Sequence, residues 1–126
     1  MAFSTIVIEE GLRNYVIQVT GTGPDAGTVL VDVSALNPPA QGVRLMRASY
    51  DVGVGGQVEL AFQGDAEDFL TMSEGSGQTI CYKKVGGIPN RNAGGTSDGD
   101  VLITSVDGSR YSMTLHFAKQ NPVIPR

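Results

Sequence analysis

Two side chains in this sequence have the chemistry of a nucleophile and a base. Cys81 is the one cysteine and His116 the one histidine, so a Cys–His catalytic pair would have to consist of these two residues. In RYSMTLHFAK, His116 alternates with apolar residues, which places it on the exposed face of a strand. We therefore expect a surface histidine, assign no residue a catalytic role, and predict that the protein is not an enzyme.

Glycoside hydrolysis needs two carboxylates, and one stretch of the chain contains four. Glu59, Asp65, Glu67 and Asp68 supply the residue type for this chemistry. An exposed strand face followed by an acidic turn explains the same residues without a substrate. The spacing therefore favours a solvated surface over a sugar-cleaving site.

A second carboxylate group could be read as a calcium site. Asp98 and Asp100 stand two apart in SDGD, and Asp107 lies in the next turn. Calcium prefers clustered oxygen ligands, but the later acidic ligand of an EF-hand loop is missing. Asp-Gly turns bounding a strand account for these residues, so we expect no metal.

Clustered glycines raise the question of a nucleotide site. GTGPDAG and GGIPNRNAGG match neither G-x-G-x-x-G nor the P-loop. The first is followed by TVLVDV, which has the pattern of a strand, so no helix N-terminus would face a phosphate. We expect no cofactor.

Composition limits the partner classes. The net charge is -4, and the nine Lys and Arg residues are scattered along the chain, which does not favour binding to nucleic acid. One cysteine allows no intramolecular disulfide. The opening residues, MAFSTIVIEEGL, lack the features of a secretory signal, and no apolar run approaches the roughly 18 residues of a membrane span. These features predict a soluble protein made in a cytosol, without membrane contact.

The elements that carry these residues have the period of β-strands. Apolar residues alternate with polar ones in four segments, which place on one face Tyr15, Ile17 and Val19; Val29, Val31 and Val33; Val58, Leu60 and Phe62; and Tyr111, Met113, Leu115 and Phe117. Glycine-rich stretches separate the strand-like segments at hairpin spacing, among them GVGG at 53–56 and EGSG at 74–77. The sequence predicts an all-β protein, an antiparallel β-sandwich of jelly-roll-like or immunoglobulin-like type with about seven to nine strands.

Two further features concern the boundaries and one irregular strand. In VRLMRASYDVG the alternation changes phase, which predicts a β-bulge near Met46 or Arg47.

In KQNPVIPR two prolines cannot join the middle of a sheet. We predict one sandwich domain over residues 1–119 and an extended tail over 120–126, with MAFSTIVIEEG as an extended segment at the other end.

A polar run, GGIPNRNAGGTSDGD at 86–100, is the strongest candidate for recognition. It is longer than most hairpin connections, and loops of that length in compact domains are usually functional. We expect it to contact a partner protein with Arg91 as its anchor. The predicted partner-binding residues in this loop and in the tail are Ile88, Asn90, Arg91, Asn92, Pro122 and Ile124.

Residues 50–117 resemble small virion structural proteins of tailed bacteriophages. The resemblance consists of YDVGVGGQVELAFQGDAEDFLTMSEGSG, a GGIPN loop, AGGTSDGDVLITS and the closing strand YSMTLHFAK. It implies a head-associated β-sandwich, a capsid decoration or cement protein that binds the assembled head and stabilises it. The implied partners are the major capsid protein and other virion subunits, and the implied location is the capsid surface of a virion assembled in the host cytoplasm.

We also expect a homo-oligomer, with a trimer favoured, because of the extended ends and the apolar strand content. Two other functions stay open: a neck or tail structural component, and a small β-sandwich module that binds carbohydrate. A sugar platform usually needs exposed aromatic side chains, and the chain has no Trp and only four Tyr and four Phe.

Overall fold

The computed structural model describes residues 3–63, 68–89, 100–106 and 110–120. Within these ranges the chain forms seven strands, two short 3₁₀ helices at Val33–Ala35 and Lys83–Val85, and no α-helix. The predicted all-β class is therefore confirmed. The strands are β1 (Phe3–Glu10), β2 (Asn14–Gly21), β3 (Asp25–Val31), β4 (Gly42–Phe62), β5 (Leu70–Cys81), β6 (Val101–Ser105) and β7 (Tyr111–Gln120).

The strands form one antiparallel sheet in the order β1-β2-β7-β4-β6-β3, and β5 pairs with β4 outside this path. The sheet is curled as a half-barrel. β7 lies between β2 and β4, although it follows every other described strand in the chain. Because β7 continues through Gln120, the first residue of the predicted 120–126 tail belongs to this strand, and the rest of that tail, 121–126, lies outside the described residues.

The longest element, β4, connects the two sides of the curled sheet. Residues 42–52 pair with β7, and residues 58–62 pair with β6. On its other side β4 pairs with β5, with a register shift between Val52 and Gln57. The predicted turns at 53–56 and 74–77 are therefore wrong, because both glycine-rich stretches lie inside paired strands. Their glycines allow an irregular stretch within a continuous hairpin, and Gly55 and Gly77 have φ of 77° and 68°.

The predicted bulge near Met46 is confirmed. Leu45 pairs with Phe117 and Arg47 with His116, so one residue of β4 is left over between two adjacent positions of β7. Leu45 and Ala48 are both fully buried on the two sides of this irregularity. The bulge thus returns apolar side chains to the core after the change of phase.

One continuous core cluster is shared by six of the strands. The predicted inward faces of β2, of residues 58–62 and of β7 are all buried, as expected from their alternation. Val29 is the exception: it is 45% exposed, and Leu30 is buried in its place. The register between β3 and β6 shifts between Val29 and Val31, which changes the face that each residue occupies.

The N-terminal segment is not the extended end that we expected. Phe3–Glu10 pairs along its length with β2 and forms the outermost strand of the sheet. Its register shifts between Val7 and Glu9, so Ile8 lies in a bulge.

Candidate functional site

The base of the predicted recognition loop is anchored to the sheet. Ile88 exchanges two backbone hydrogen bonds with Leu45, at 3.0 and 2.9 Å, and its half-buried side chain packs against the core. Arg44 donates a hydrogen bond from Nη1 to the carbonyl oxygen of Gly86 at 2.9 Å. Of the predicted contact residues, Ile88 is thus a structural anchor, whereas Asn90, Arg91, Asn92, Pro122 and Ile124 lie outside the described residues.

The far end of the same loop is also fixed. The buried side chain of Asp100 accepts a hydrogen bond from the backbone N–H of Val33 at 3.0 Å. The backbone carbonyl oxygen of Asp100 accepts a hydrogen bond from the backbone N–H of Gln63 at 2.9 Å. Asp100 therefore holds the strand end to the connection after β3. The other two aspartates of the calcium hypothesis, Asp98 and Asp107, lie outside the described residues.

The structure keeps Cys81 and His116 apart. Arg47 in β4 pairs with Cys81 in β5 on one side and with His116 in β7 on the other. Cys81 and His116 are therefore separated by one intervening strand. With strands spaced about 4.8 Å apart, their backbones are separated by about 10 Å. This exceeds the reach of a nucleophile–base hydrogen bond, and β4 lies between the two residues.

Two of the four candidate glycosidase carboxylates do come together. A hydrogen bond with Asp68 is the main cause that raises the pKa of Glu59, with smaller effects from burial and from the charge of Asp68. Gln57 lowers the pKa of Glu59 by donating a hydrogen bond to its Oε1 atom at 2.8 Å, which opposes the effect of Asp68. Hydrogen-bonded carboxyl groups are closer than the separation of about 5 Å or more that glycosidases use. Asp65 and Glu67 lie outside the described residues.

Every aromatic side chain is committed to packing. Four belong to the core cluster and the other four are partly buried against it; together they are Tyr15, Phe62, Tyr111, Phe117, Phe3, Tyr50, Phe69 and Tyr82. Phe62 and Phe69 stack with ring centroids 4.1 Å apart. None of these side chains is more than partly exposed, which does not favour a flat aromatic platform for a sugar ring.

An open cleft of about 830 Å³ lies between the end of β2, the irregular stretch of the β4–β5 hairpin and the start of β7. Its edge includes Val54, which is 96% exposed, together with Glu74 and Arg110. The volume is in the range of small-molecule sites. However, the carboxylates at this cleft already accept backbone hydrogen bonds, Asp51 from Gly77 and Glu74 from Gly55 at 3.4 Å.

A buried polar cluster lies beneath this cleft. Burial is the main cause that raises the pKa of Tyr111 to about 12; the charge of Asp25 raises it further, and the neighbouring Ser105 hydroxyl opposes the change. All three residues are buried, and Thr28 donates a hydrogen bond to Asp25 Oδ1 at 3.3 Å. The Tyr111 hydroxyl is therefore buried near polar groups from β3 and β6.

The outermost strand, β1, has the most unusual surface. Its seven residues from Ser4 to Glu10 are all exposed, although a strand normally buries every second side chain. Ile6, Val7 and Ile8 are 62%, 49% and 57% exposed, and Leu12 in the following turn is 54% exposed. Since Val7 pairs with Ile17 and Ile6 with Gln18, the apolar side chains occupy both faces of the strand.

A buried cation secures the end of β1. The side chain of Lys119 is fully buried, donates a hydrogen bond to the carbonyl oxygen of Pro38 at 3.0 Å, and lies 3.6 Å from Glu10 Oε2. The same Glu10 oxygen accepts the backbone N–H of Asn37 at 2.6 Å. Burial raises the pKa of Tyr15 nearby, and the charge of Glu10 raises it further.

Sequence reasoning missed both features, although each left a signal. Lys119 continues the alternation of buried residues in β7, two positions after Phe117, which is the last apolar residue of that series. Ile6, Val7 and Ile8 are three consecutive apolar residues, so they interrupt the alternation of a strand with one buried face.

Comparison with protein-family models and with curated proteins gave no match for this chain. Among the described residues no three His, Cys, Asp or Glu side chains are grouped so as to hold a metal ion. In the same part of the chain no helix has the length and hydropathy to cross a bilayer.

Proposed function

We propose that this protein is a bacteriophage virion structural protein, a capsid decoration or cement protein that binds the assembled head and stabilises it. The single observation that carries the proposal is the β1 edge, defined as Phe3–Glu10, an outermost strand with apolar side chains exposed on both faces, which supports a role as a subunit of a larger assembly. Exposed apolar strands mark places where protein surfaces meet, because contact with another chain removes them from water.

The proposal assigns the protein a binding role without catalysis. Its partners are the major capsid protein and other virion subunits, and its location is the outside of the capsid. The anchored ends of the 86–100 loop support a contact role for that loop as well, since a rigid frame reduces the entropy lost on binding.

A finer fold accompanies the proposal. We infer that the curled sheet acts as two layers of a sandwich, one containing β2, β7 and residues 42–52 of β4, the other containing β3, β6 and residues 58–62. Side chains from both groups belong to one core cluster, among them Ile17, Leu115 and Ile103. Nuclear Overhauser contacts between the methyl groups of Ile103 and Leu115 would support facing layers, and their absence would favour an open half-barrel.

The experiment that tests the function is co-sedimentation of the purified protein with phage heads that lack it. Bare assembled capsid protein is the second shell, and an unrelated capsid is the control. Saturable binding to both cognate shells supports a decoration protein. Binding to isolated necks or tails and not to heads would instead support a neck or tail component.

Carbohydrate binding gains no support from the described surface. The eight aromatic side chains pack in or against the core, and the 830 Å³ cleft holds carboxylates that are already hydrogen-bonded. A glycan array probed with the purified protein tests this alternative independently of any virion.

A further inference from the structure

The β1 edge has two properties that rarely occur together on a stable surface. It is the outer strand of the sheet, and within the described residues its one strand partner is β2. Its apolar side chains Ile6, Val7 and Ile8 are about half exposed or more, on both faces of the strand. Unpaired backbone groups and apolar side chains therefore coincide along the same few residues.

Edge strands usually carry a device that prevents further pairing, such as a lysine, a proline or a charged residue pointing inward. Phe3–Ile8 contains none of these, and its central residues are consecutive β-branched residues, which favour strand formation. The first interruptions are the bulge at Ile8 and the carboxylates Glu9 and Glu10. The segment that another strand can pair with is therefore short and uncharged.

Charge selects the direction in which a second copy of this strand can pair. In parallel pairing, Glu9 of each copy would lie beside its own counterpart, and like charges on neighbouring strands destabilise a sheet. In antiparallel pairing about Ile6, Glu9 is opposite Phe3 of the second copy, and the two Glu9 residues are about 20 Å apart at a rise of about 3.4 Å per residue. Glu10 is already paired with Lys119 within its own chain.

The same register matches the apolar side chains. A two-fold axis perpendicular to the sheet relates each residue to its own counterpart, so Ile6 faces Ile6 and Val7 faces Thr5 of the second copy. Faces are preserved across such an axis. Ile6 therefore covers Ile6 on the outer face, and Val7 is covered on the face that carries Ile17.

We propose that β1 pairs with β1 of a second copy of this chain, antiparallel and about a two-fold axis at Ile6. The result is a dimer with one sheet continuous through both copies. This inference rests on the proposed function and names the partner that covers the β1 edge, so the 86–100 loop is left as the predicted contact with the capsid. A dimer would present two capsid-binding surfaces, which increases the apparent affinity for a repeating shell.

The first test is the mass of the natural protein in solution, measured by sedimentation equilibrium over a concentration series. We expect twice the chain mass of 13.2 kDa. Ile6→Lys places two ammonium groups opposite each other and is expected to raise the dimer Kd about tenfold to a hundredfold. Val54→Lys, at a site that is 96% exposed and distant from β1 in the sheet, is the matched control and should remain dimeric.

A second test reports the axis itself. A mixture of Ile6→Lys and Ile6→Glu chains should recover the dimer, because the two opposite charges then face each other. In a Cys81→Ser background, Ile6→Cys should form an inter-chain disulfide on mild oxidation, since directly opposed residues of an antiparallel pair lie about 4.5–5.5 Å apart between Cα atoms. Val54→Cys in that background should remain uncrosslinked.

A monomer at all concentrations, a trimer, or a dimer that Ile6→Lys leaves unchanged would each overturn the proposal. Because these measurements use the purified protein alone, they are independent of co-sedimentation with heads. A protein that binds heads as a monomer would retain the proposed function and lose this inference. A dimer that binds no head would retain this inference and contradict the proposed function.

Discussion

Lys119 Nζ lies 3.6 Å from Glu10 Oε2, so the last described strand and the first are joined by a buried ammonium group and a partly exposed carboxylate. The same ammonium donates to the carbonyl oxygen of Pro38. Since a buried charge without a counter-charge is costly, this contact ties β1 and the connection before β4 to β7.

Replacing Glu10→Gln should therefore destabilise the protein by about 2 kcal/mol, because the buried Lys119 loses its counter-charge. The measurement is the free energy of unfolding in urea. Glu9→Gln is the matched control: it is the adjacent, exposed glutamate in the same strand, and it should change stability by less than about 0.5 kcal/mol. Equal effects of the two substitutions would contradict the assigned role of Glu10.

Asp68→Asn should reduce the pH dependence of stability in the acid range. The pKa of Glu59 is raised above its usual value of 4.5, so the folded state holds this proton more tightly than the unfolded state. Its contribution to stability is present below about pH 4.5 and is lost as the pH rises through the raised pKa. An asparagine at position 68 can still donate to Glu59 but carries no charge. Urea unfolding at several pH values should show a smaller loss in the variant, and an unchanged slope would refute the pairing.

Tyr111 should titrate late and contribute to unfolding in alkali. Its pKa is raised from 10.0 to about 12, so the unfolded state loses the phenolic proton first and stability falls between these two values. A spectrophotometric titration of phenolate should show a component near pH 12, which Tyr111→Phe should remove. A single transition near pH 10 for all four tyrosines of the folded protein would contradict this assignment.

Gly87→Ala should destabilise the base of the predicted recognition loop by about 2 kcal/mol or more. Gly87 has φ of 88°, and an added Cβ would lie 2.6 Å from Met46 Sδ and 3.0 Å from the carbonyl oxygen of Leu45. Gly27→Ala separates the two causes, because Gly27 has a positive φ of 62° but open space around the new Cβ. If Gly87→Ala and Gly27→Ala lower the free energy of unfolding equally, the close contact with Met46 does not explain the destabilisation.

Arg91→Ala should weaken binding to phage heads about tenfold and leave the thermal unfolding midpoint unchanged. This prediction comes from the sequence, since Arg91 lies outside the described residues. Lys84→Ala is the control, because Lys84 is an exposed cation close to the start of the same loop. If both variants bind as the natural protein does, the contact lies elsewhere.

Strand periodicity predicted most of the fold. The bulge near Met46 was predictable because a change of phase between Leu45 and Ala48 leaves one residue over. The glycine-rich stretches at 53–56 and 74–77 were not, because glycine permits both a reverse turn and an irregular paired strand. Whether a reverse turn or a paired strand forms depends on the pairing of β4 with β5, β6 and β7. Most of these partner residues are distant from the glycines in the sequence.

The candidate site was less predictable for the same reason. The run of Ile6, Val7 and Ile8 predicts a strand with apolar residues on both faces, but not whether both faces are covered. That depends on the position of β1 at the outside of the sheet. The ion pair of Lys119 was equally hidden, since its parity indicates burial while its partner, Glu10, lies more than a hundred positions away.

The central position of β7 affects how this chain can be made. While the ribosome is still translating, β2 and β4 have emerged but the strand that separates them has not. Each therefore exposes a hydrogen-bonding edge and an apolar face until residues 111–120 leave the exit tunnel. A nascent or prematurely terminated chain is accordingly an expected client for chaperones and proteases, whereas a chain whose residues 111–120 have emerged can complete the sheet by inserting one strand.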